Sequence, residues 1–156
     1  MTPDSVSAGE SLHATSIVVG QTGVLFLGPS GSGKSSVAFA CLNSAAGRGW
    51  NAALVADDRT ILTTKAGRCI ASCPEPIQGI LELRGTGIIA LPRLNRAVVH
   101  LVVALGEPTA QTRLPPDDET FSCNATEMPL MRLWRDGATD PLSCLVARNP
   151  ELFLAR

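Results

Sequence analysis

The stretch Leu25 to Phe39, LFLGPSGSGKSSVAF, constrains the fold more than any other part of the chain. Its centre, Gly28–Pro29–Ser30–Gly31–Ser32–Gly33–Lys34–Ser35, fits the pattern G-x-x-x-x-G-K-[ST]. Glycines let backbone N–H groups turn inward as a concave anion nest, and a helix that follows adds its positive N-terminus. The apolar residues before the loop read as a strand. Lys34 to about Ala46 reads as a helix, with Val37, Ala38, Cys41 and Leu42 at helical spacing. Chance alone would give the pattern in roughly one chain of this length in two hundred, and here the flanks fit as well. The loop, Gly28 to Ser35 with Ser36 after it, is therefore expected to hold a nucleoside triphosphate. Lys34 would reach the β- and γ-phosphates, and Ser35 would offer its hydroxyl to Mg²⁺.

Around this loop the chain reads mostly as strands. His13–Val19 and Val24–Leu27 flank GQTG, a turn. Ala52–Ala56 is a short continuous apolar run, as expected of a strand covered on both faces. RTILTT and GRCIAS flank Lys65–Ala66 and suggest a hairpin, PEPIQGILE could hold one helical turn, and GIIALP and Ala97–Leu105 read as further strands. A short helix is expected near Pro141–Ala147. The fold class that follows is α/β: a P-loop nucleotide-binding core with a mixed, strand-rich sheet and few helices.

Composition narrows the field further. With 156 residues, 45% of them apolar and 17% charged, the chain suits one soluble domain. Residues 1–10 are expected to be a mobile tail without a secretory h-region, and residues 11–156 the domain. A formal net charge of −1 and the lack of clustered Lys and Arg speak against nucleic acid. The longest apolar runs are too short for membrane insertion. Five cysteines are irregularly spaced, and Cys69 and Cys73 lack the second pair or the His that a zinc site needs. Reduced thiols and a cytoplasmic location are the expectation.

LVADDRT puts Asp57 and Asp58 directly after the Ala52–Ala56 strand. Ligands of open α/β sheets sit beyond the carboxyl ends of strands, so both carboxylates are expected beside the loop. Strand side chains alternate, so the two could not face the same way if extension continued. One is read as holding Mg²⁺ through water, the other as facing an acceptor hydroxyl as general base. His13 joins by counting: a hairpin centred near Gln21 would pair it with Pro29 or Ser30, at the mouth of the loop. His100, inside AVVHLVV, has no such link and is expected to be a packed strand residue. In LELRGTGII, Glu82 and Arg84 stand two apart and share a face. They would supply a carboxylate for the metal and a guanidinium for phosphate or an acidic partner, while Gly85 and Gly87 permit a tight turn.

LHATSIVV, GPSGSGKS, LVADDRT and LELRGTGIIALP occur in the order and spacing of the HPr kinase/phosphorylase family. Over about residues 11–115 the chain resembles that family's catalytic domain, in the short form without the extra N-terminal domain. The resemblance implies an ATP- and Mg²⁺-dependent kinase that phosphorylates a serine of HPr, the phosphocarrier of the phosphotransferase system. In many members the same site removes that phosphate by phosphorolysis. It implies catalytic roles for His13 and Lys34, and makes Asp58 the proton acceptor, supported by Asp57. It places the metal on Ser35 and Glu82, and matches Arg113 of TRLP to a further catalytic arginine. A homo-oligomer, often a hexamer in the family, is implied as well. The sequence departs from the family at Thr86, where leucine is usual, and in the longer link SAAGRGWNAAL. It also departs at the C-terminus, where VARNP only echoes a glycine-rich segment tied to phosphorolysis.

Two other readings stand beside this one, a P-loop small-molecule kinase and a non-catalytic ATP-sensing module, because phosphate loops serve many acceptors. A GTPase would need an N-K-x-D motif, which LNRAVV around Asn95 does not supply. A carboxylate base beside Ser35 and Glu82 separates a kinase from a sensor, which needs none.

Overall fold

In the computed structural model, residues 5, 6, 9–74, 79–107, 114, 116, 118–134 and 140–154 are described. The apolar strands form a mixed sheet with few helices, as the sequence leads one to expect. Among the described residues there are twelve strands: β1 (Ser5–Val6), β2 (Glu10–Val19), β3 (Thr22–Leu27), β4 (Ala52–Ala56), β5 (Arg59–Lys65), β6 (Arg68–Ser72), β7 (Ile80–Leu83), β8 (Gly87–Ala90), β9 (Arg96–Val98), β10 (Leu101–Gly106), β11 (Glu119–Cys123) and β12 (Thr126–Trp134). The helices are α1 (Lys34–Gly47), α2 (Pro141–Arg148) and the single turn α3 (Pro150–Phe153). Within the stretch expected to be a tail, Ser5–Val6 pair in parallel with β11.

The large sheet runs β1-β11-β12-β10-β3-β2-β5-β6-β9, with β4 also paired to β2, while β7 and β8 form a separate hairpin. β3, β10 and β12 are parallel neighbours at its centre. The near-continuous apolar runs of β3 and β10 make sense because both faces are covered. Val24, Phe26, Leu101 and Val103 meet Ala38, Cys41 and Ala45 of α1 and Leu142 and Leu145 of α2. The alternate residues Leu25, Leu27, Val102 and Ala104 meet Leu62, Cys69, Ala71 and Phe121 on the other side. The sheet thus curls so that β5 and β6 lie over its second face. Asp140 caps α2, its carboxylate accepting from the Ser143 N–H at 3.0 Å, and it also accepts from the Ser44 hydroxyl of α1 at 3.0 Å.

Several expectations are corrected. Ala97–Leu105 is two strands, β9 and β10, parted at Val99–His100. The chain passes there from the sheet's edge at β6 to its centre at β3. The crossing is so close that a Cβ on Gly23 would lie 1.8 Å from the Val98 carbonyl oxygen. His100 is accordingly no strand residue. Its Nδ1 accepts from the Gly23 N–H at 3.0 Å, and its own N–H donates to the Gly23 carbonyl at 2.8 Å. Burial, with Arg68 adding to it, lowers the His100 pKa, in line with a neutral ring that accepts at Nδ1. Of PEPIQGILE, Ile80 onward is the strand β7, and residues 75–78, on which the expected helical turn falls, lie outside the described residues. The β5–β6 turn is Ala66–Gly67, both at positive φ (53° and 73°), one residue later than expected.

All five cysteines are free thiols, and Cys144 alone of them is not fully buried. Burial pushes the Cys41 and Cys69 thiols up to about 12, which keeps them protonated and inert. Among the described residues, no helix is long and apolar enough to cross a membrane.

Candidate functional site

The loop between β3 and α1 forms because β3 ends where Gly28 begins. A Cβ at Gly28 would come within 2.5 Å of the Ser32 Oγ, so only glycine lets the loop fold back on itself. The Ser32 N–H donates to the Pro29 carbonyl at 3.0 Å, and helix bonding begins with the Val37 N–H to the Gly33 carbonyl at 2.9 Å. The Ser32 Oγ is buried without a hydrogen-bond partner among the described residues. Lys34 is buried, with its Nζ donating to the carbonyls of Gly28 at 2.8 Å and Pro29 at 3.2 Å. Burial lowers its pKa, against the opposing pull of Asp58 and Asp57. A buried ammonium held only by carbonyls of a glycine-rich loop fits an anionic ligand, which would bring it a directly bonded charged partner.

The acidic pair is held by a turn. β4 ends at Ala56, and the Arg59 N–H donates to the Asp57 carbonyl at 2.8 Å. Asp58 sits between them at φ 69°, the backbone of a γ-turn. Extension therefore stops at the pair, and the two carboxylates need not point to opposite faces. Asp57 is half-buried. Its Oδ1 accepts from the Ser35 hydroxyl at 2.5 Å and from the Thr15 hydroxyl at 3.0 Å, and its Oδ2 from the Glu82 N–H at 3.2 Å. Asp58 is exposed, and its N–H lies 3.4 Å from the Thr15 hydroxyl.

One pocket of about 430 Å³ gathers these pieces. Ser30, Gly31, Gly33, Lys34, Ser35 and Ser36 line it from the loop, Asp58 from the acidic turn, and Glu82 and Arg84 from the β7–β8 hairpin. The hairpin's turn is closed by the Thr86 N–H to the Leu83 carbonyl at 3.0 Å. Leu81 and Leu83 face the core, so Glu82, between them, faces outward into the pocket. Asp57 backs the pocket behind Ser35. The oxygen donors Ser35, Asp57 and Glu82 are the ligand type a hard divalent cation takes. Among the described residues, no three His, Cys, Asp or Glu side chains converge as a ready-made metal site. This donor set fits an ion that shares its shell with nucleotide oxygens.

His13 is placed differently from the hairpin count. The turn is Gly20–Gln21, and β2–β3 pairing runs from Val19↔Thr22 to Ala14↔Leu27. β3 ends at Leu27, so its pairing with β2 stops at Ala14 and does not reach Pro29 or Ser30; on the other edge of β2, β5 continues the pairing begun by β4, and His13 stands opposite Arg59. Its Nδ1 lies 3.7 Å from the Asp58 Oδ1, with both side chains largely exposed. That is too long for a direct hydrogen bond, but it puts the imidazole beside the acidic turn. Arg113 lies outside the described residues. Sequence reasoning missed Thr15. The available signal was the pair of hydroxyls, Thr15 and Ser16, in the strand HATSIVV.

Comparison with known proteins gives a consistent result. The chain is 36% identical over 132 residues to an HPr kinase/phosphorylase of Brevibacillus brevis, covering 78% of this chain and 40% of that protein. It is 33% identical over 137 residues to one of Xylella fastidiosa, covering 79% and 42% respectively. The chain therefore spans about two-fifths of the length of these curated relatives. The solved structure of the Hpr(Ser) kinase/phosphatase from Coxiella burnetii superposes with a TM-score of 0.71 at 27% identity, covering 92% of this chain and 91% of that one. The family model described as the HPr serine kinase C-terminal domain matches residues 4–131. That match takes in the loop, the acidic turn and the glutamate hairpin together, and on its extent this chain belongs to the family of HPr serine kinase C-terminal domains.

Proposed function

We propose that this chain is an ATP-dependent protein-serine kinase whose acceptor is a serine of the phosphocarrier protein HPr. The observation that supports this reading is that one pocket takes its lining from the phosphate loop on one side and from the exposed carboxylate of Asp58 on another. A nucleotide sensor has no use for a carboxylate there, whereas a kinase needs one to receive the acceptor's proton. The family membership supplies HPr as the acceptor.

In this mechanism the loop amides and Lys34 bind the β- and γ-phosphates, with Lys34 exchanging its contacts with the Gly28 and Pro29 carbonyls for phosphate oxygens. Ser35 and Glu82 would hold Mg²⁺, and Asp57 acts on the ion through the Ser35 hydroxyl. When bound, the ion supplies charge neutralisation on the phosphates. Asp58 takes the serine proton as the seryl oxygen bonds to the γ-phosphorus and the bond to the ADP oxygen breaks. Lys34 and the loop amides stabilise the charge on the transferring group. His13 orients Asp58 from the β2 side, Arg84 offers its guanidinium to phosphate, and Arg113 is assigned a role in the same reaction. In reverse, protonated Asp58 returns its proton to the seryl oxygen as inorganic phosphate accepts the phosphoryl group to give pyrophosphate.

The test is transfer from γ-labelled ATP to purified HPr, with an HPr lacking its acceptor serine as control. Label on HPr that disappears with the serine variant supports the reading. ATP bound tightly with no label transferred would overturn it in favour of another acceptor. Phosphoserine-HPr incubated with inorganic phosphate, followed by pyrophosphate release, tests the reverse direction.

A further inference from the structure

We propose that Thr15 is a positioning residue of this site, one hydroxyl that fixes both members of the acidic pair. The inference rests on the phosphoryl-transfer reading of the pocket. Thr15 is fully buried in β2, at 0% exposure. It lies on the strand face shared by Ile17 and Val19, both members of the helix-side core. Burial on that face calls for an apolar β-branched side chain, and valine would fill the same volume. The hydroxyl therefore has a reason other than packing.

Its partners supply that reason. The Thr15 hydroxyl donates to the Asp57 Oδ1 at 3.0 Å and faces the Asp58 N–H at 3.4 Å. A hydroxyl carries one donor and two acceptor sites, so both contacts are compatible. The preceding residue adds a third tie, the Ala14 N–H donating to the Asp58 carbonyl at 3.1 Å. Two successive residues of β2 thus grip the turn that presents Asp58, and the next one back, His13, faces its carboxylate.

Asp58 needs such a grip. It is exposed, sits at positive φ, and must hold its carboxylate where an acceptor hydroxyl meets the γ-phosphate. Asp57 has two donors to its Oδ1, Thr15 and Ser35. Ser35 also serves the nucleotide, so Thr15 is the donor that stays free of the ligand. Without the Thr15 hydroxyl, Asp57 and Asp58 each lose a tie to β2 at once, and only the Ala14 N–H bond to the Asp58 carbonyl is left from that strand. A displacement of about 1 Å in a reacting group costs on the order of 100-fold in rate.

The experiment compares Thr15→Val and Thr15→Ser with the wild-type chain. It measures HPr phosphorylation kinetics, ATP affinity, thermal midpoint and hydrogen exchange at the Asp58 amide. Thr15→Val is expected to lower kcat about 10–100-fold while ATP affinity stays within about threefold. Asp58 amide exchange should quicken about tenfold or more. Thr15→Ser, which restores the hydroxyl, should return both toward wild type. A valine variant with kcat within about twofold of wild type and unchanged Asp58 exchange would overturn the proposal and leave Thr15 a packing residue. Equal losses in the valine and serine variants, tracking the thermal midpoint, would overturn it too. If wild type itself transfers nothing to HPr, the functional reading fails. Asp58 exchange and ATP affinity then decide the matter for Thr15: quickened exchange in valine with rescue by serine upholds the grip, and unchanged exchange refutes it.

Discussion

Replacing Asp58 separates chemistry from folding, because the residue carries a carboxylate for one and an unusual backbone for the other. Its φ of 69° sits in the left-handed region, which Gly, Asn and Asp enter readily and other residues enter at about 1–2 kcal/mol. Asp58→Asn keeps the shape and the tolerance for positive φ, so its thermal midpoint should stay within about 2 °C of wild type. Asp58→Ala adds the backbone cost, which for a domain of this size lowers the midpoint by roughly 2–8 °C. Asp58→Gly relieves the turn and should melt no lower than wild type. Activity should follow a different order. All three lose the proposed general base, a group worth about 10²–10⁴ in rate or roughly 3–5 kcal/mol of barrier. ATP affinity should change little, since the loop supplies the phosphate contacts. The assay is labelled transfer to HPr beside calorimetric ATP titration and a thermal scan of each variant. Activity that ranks with the thermal midpoint, or an asparagine variant keeping more than about a third of wild-type kcat, would refute the assignment of Asp58 as base.

The Lys34 pKa is lowered by burial below the usual lysine value, and a bound phosphate would raise it again. ATP binding should therefore take up protons on the alkaline side, and affinity should fall as pH rises through that window. Titration calorimetry in buffers of different ionisation enthalpy measures this, and binding without proton uptake up to about pH 10 would refute it. Gly23→Ala would drive a Cβ to 1.8 Å from the Val98 carbonyl oxygen and part both hydrogen bonds to His100. The strain and lost bonds amount to about 3–5 kcal/mol, so the midpoint should drop roughly 10 °C or more; a change under about 2 °C would contradict that geometry. For Asp140, burial raises the pKa, but the Ser143 N–H, the Ser44 and Ser143 hydroxyls and Arg48 outweigh it, and the net shift is downward. A carboxylate with a depressed folded pKa stabilises the fold above its ordinary value of 3.8 and loses that contribution as pH falls through the lowered one. Asp140→Ala should thus cost about 1–2 kcal/mol near neutral pH, read by denaturant titration. The gap to wild type should narrow in acid, and a gap constant down to about pH 2 would refute the ionic cap.

The parts of the fold legible in the sequence are those fixed by local pattern. Gly28 to Ser35 reads as a phosphate loop because each residue's job there is set by neighbours a few positions away. Ala52–Ala56 and the α1 stripe follow from periodicity alone. What escaped reading depends on contacts between distant residues. The break at Val99–His100 looks like an unbroken apolar run, and it arises from the approach to Gly23, 77 positions from His100 in sequence. The placement of His13 escapes reading for a similar reason: β3 stops at Leu27, so its pairing with β2 ends at Ala14, and His13 finds its partner in β5 on the other edge of β2. Thr15 reads as one more β-branched strand residue until Asp57, 42 positions on, is seen to accept its proton.

The acidic pair shows how the site solves a problem that its sequence poses. Two adjacent carboxylates on a strand would point to opposite faces, yet the chemistry asks both to serve one pocket. The turn at Asp58 ends the strand at that very residue, and the cost of its positive φ is met by ties to β2 at Ala14 and Thr15. The pair then divides its work. Asp57 turns inward and accepts from Thr15 of β2, Ser35 of α1 and the Glu82 backbone of β7, joining three elements far apart in sequence through one carboxylate. Asp58 turns outward to the rim of the pocket, where an acceptor can reach it. Swapping the order of roles would fail, since an exposed Asp57 could not gather the three elements and a buried Asp58 could not meet the proposed protein substrate. On the proposed function, the turn at Asp58 is what lets a structural carboxylate and a reactive one stand side by side.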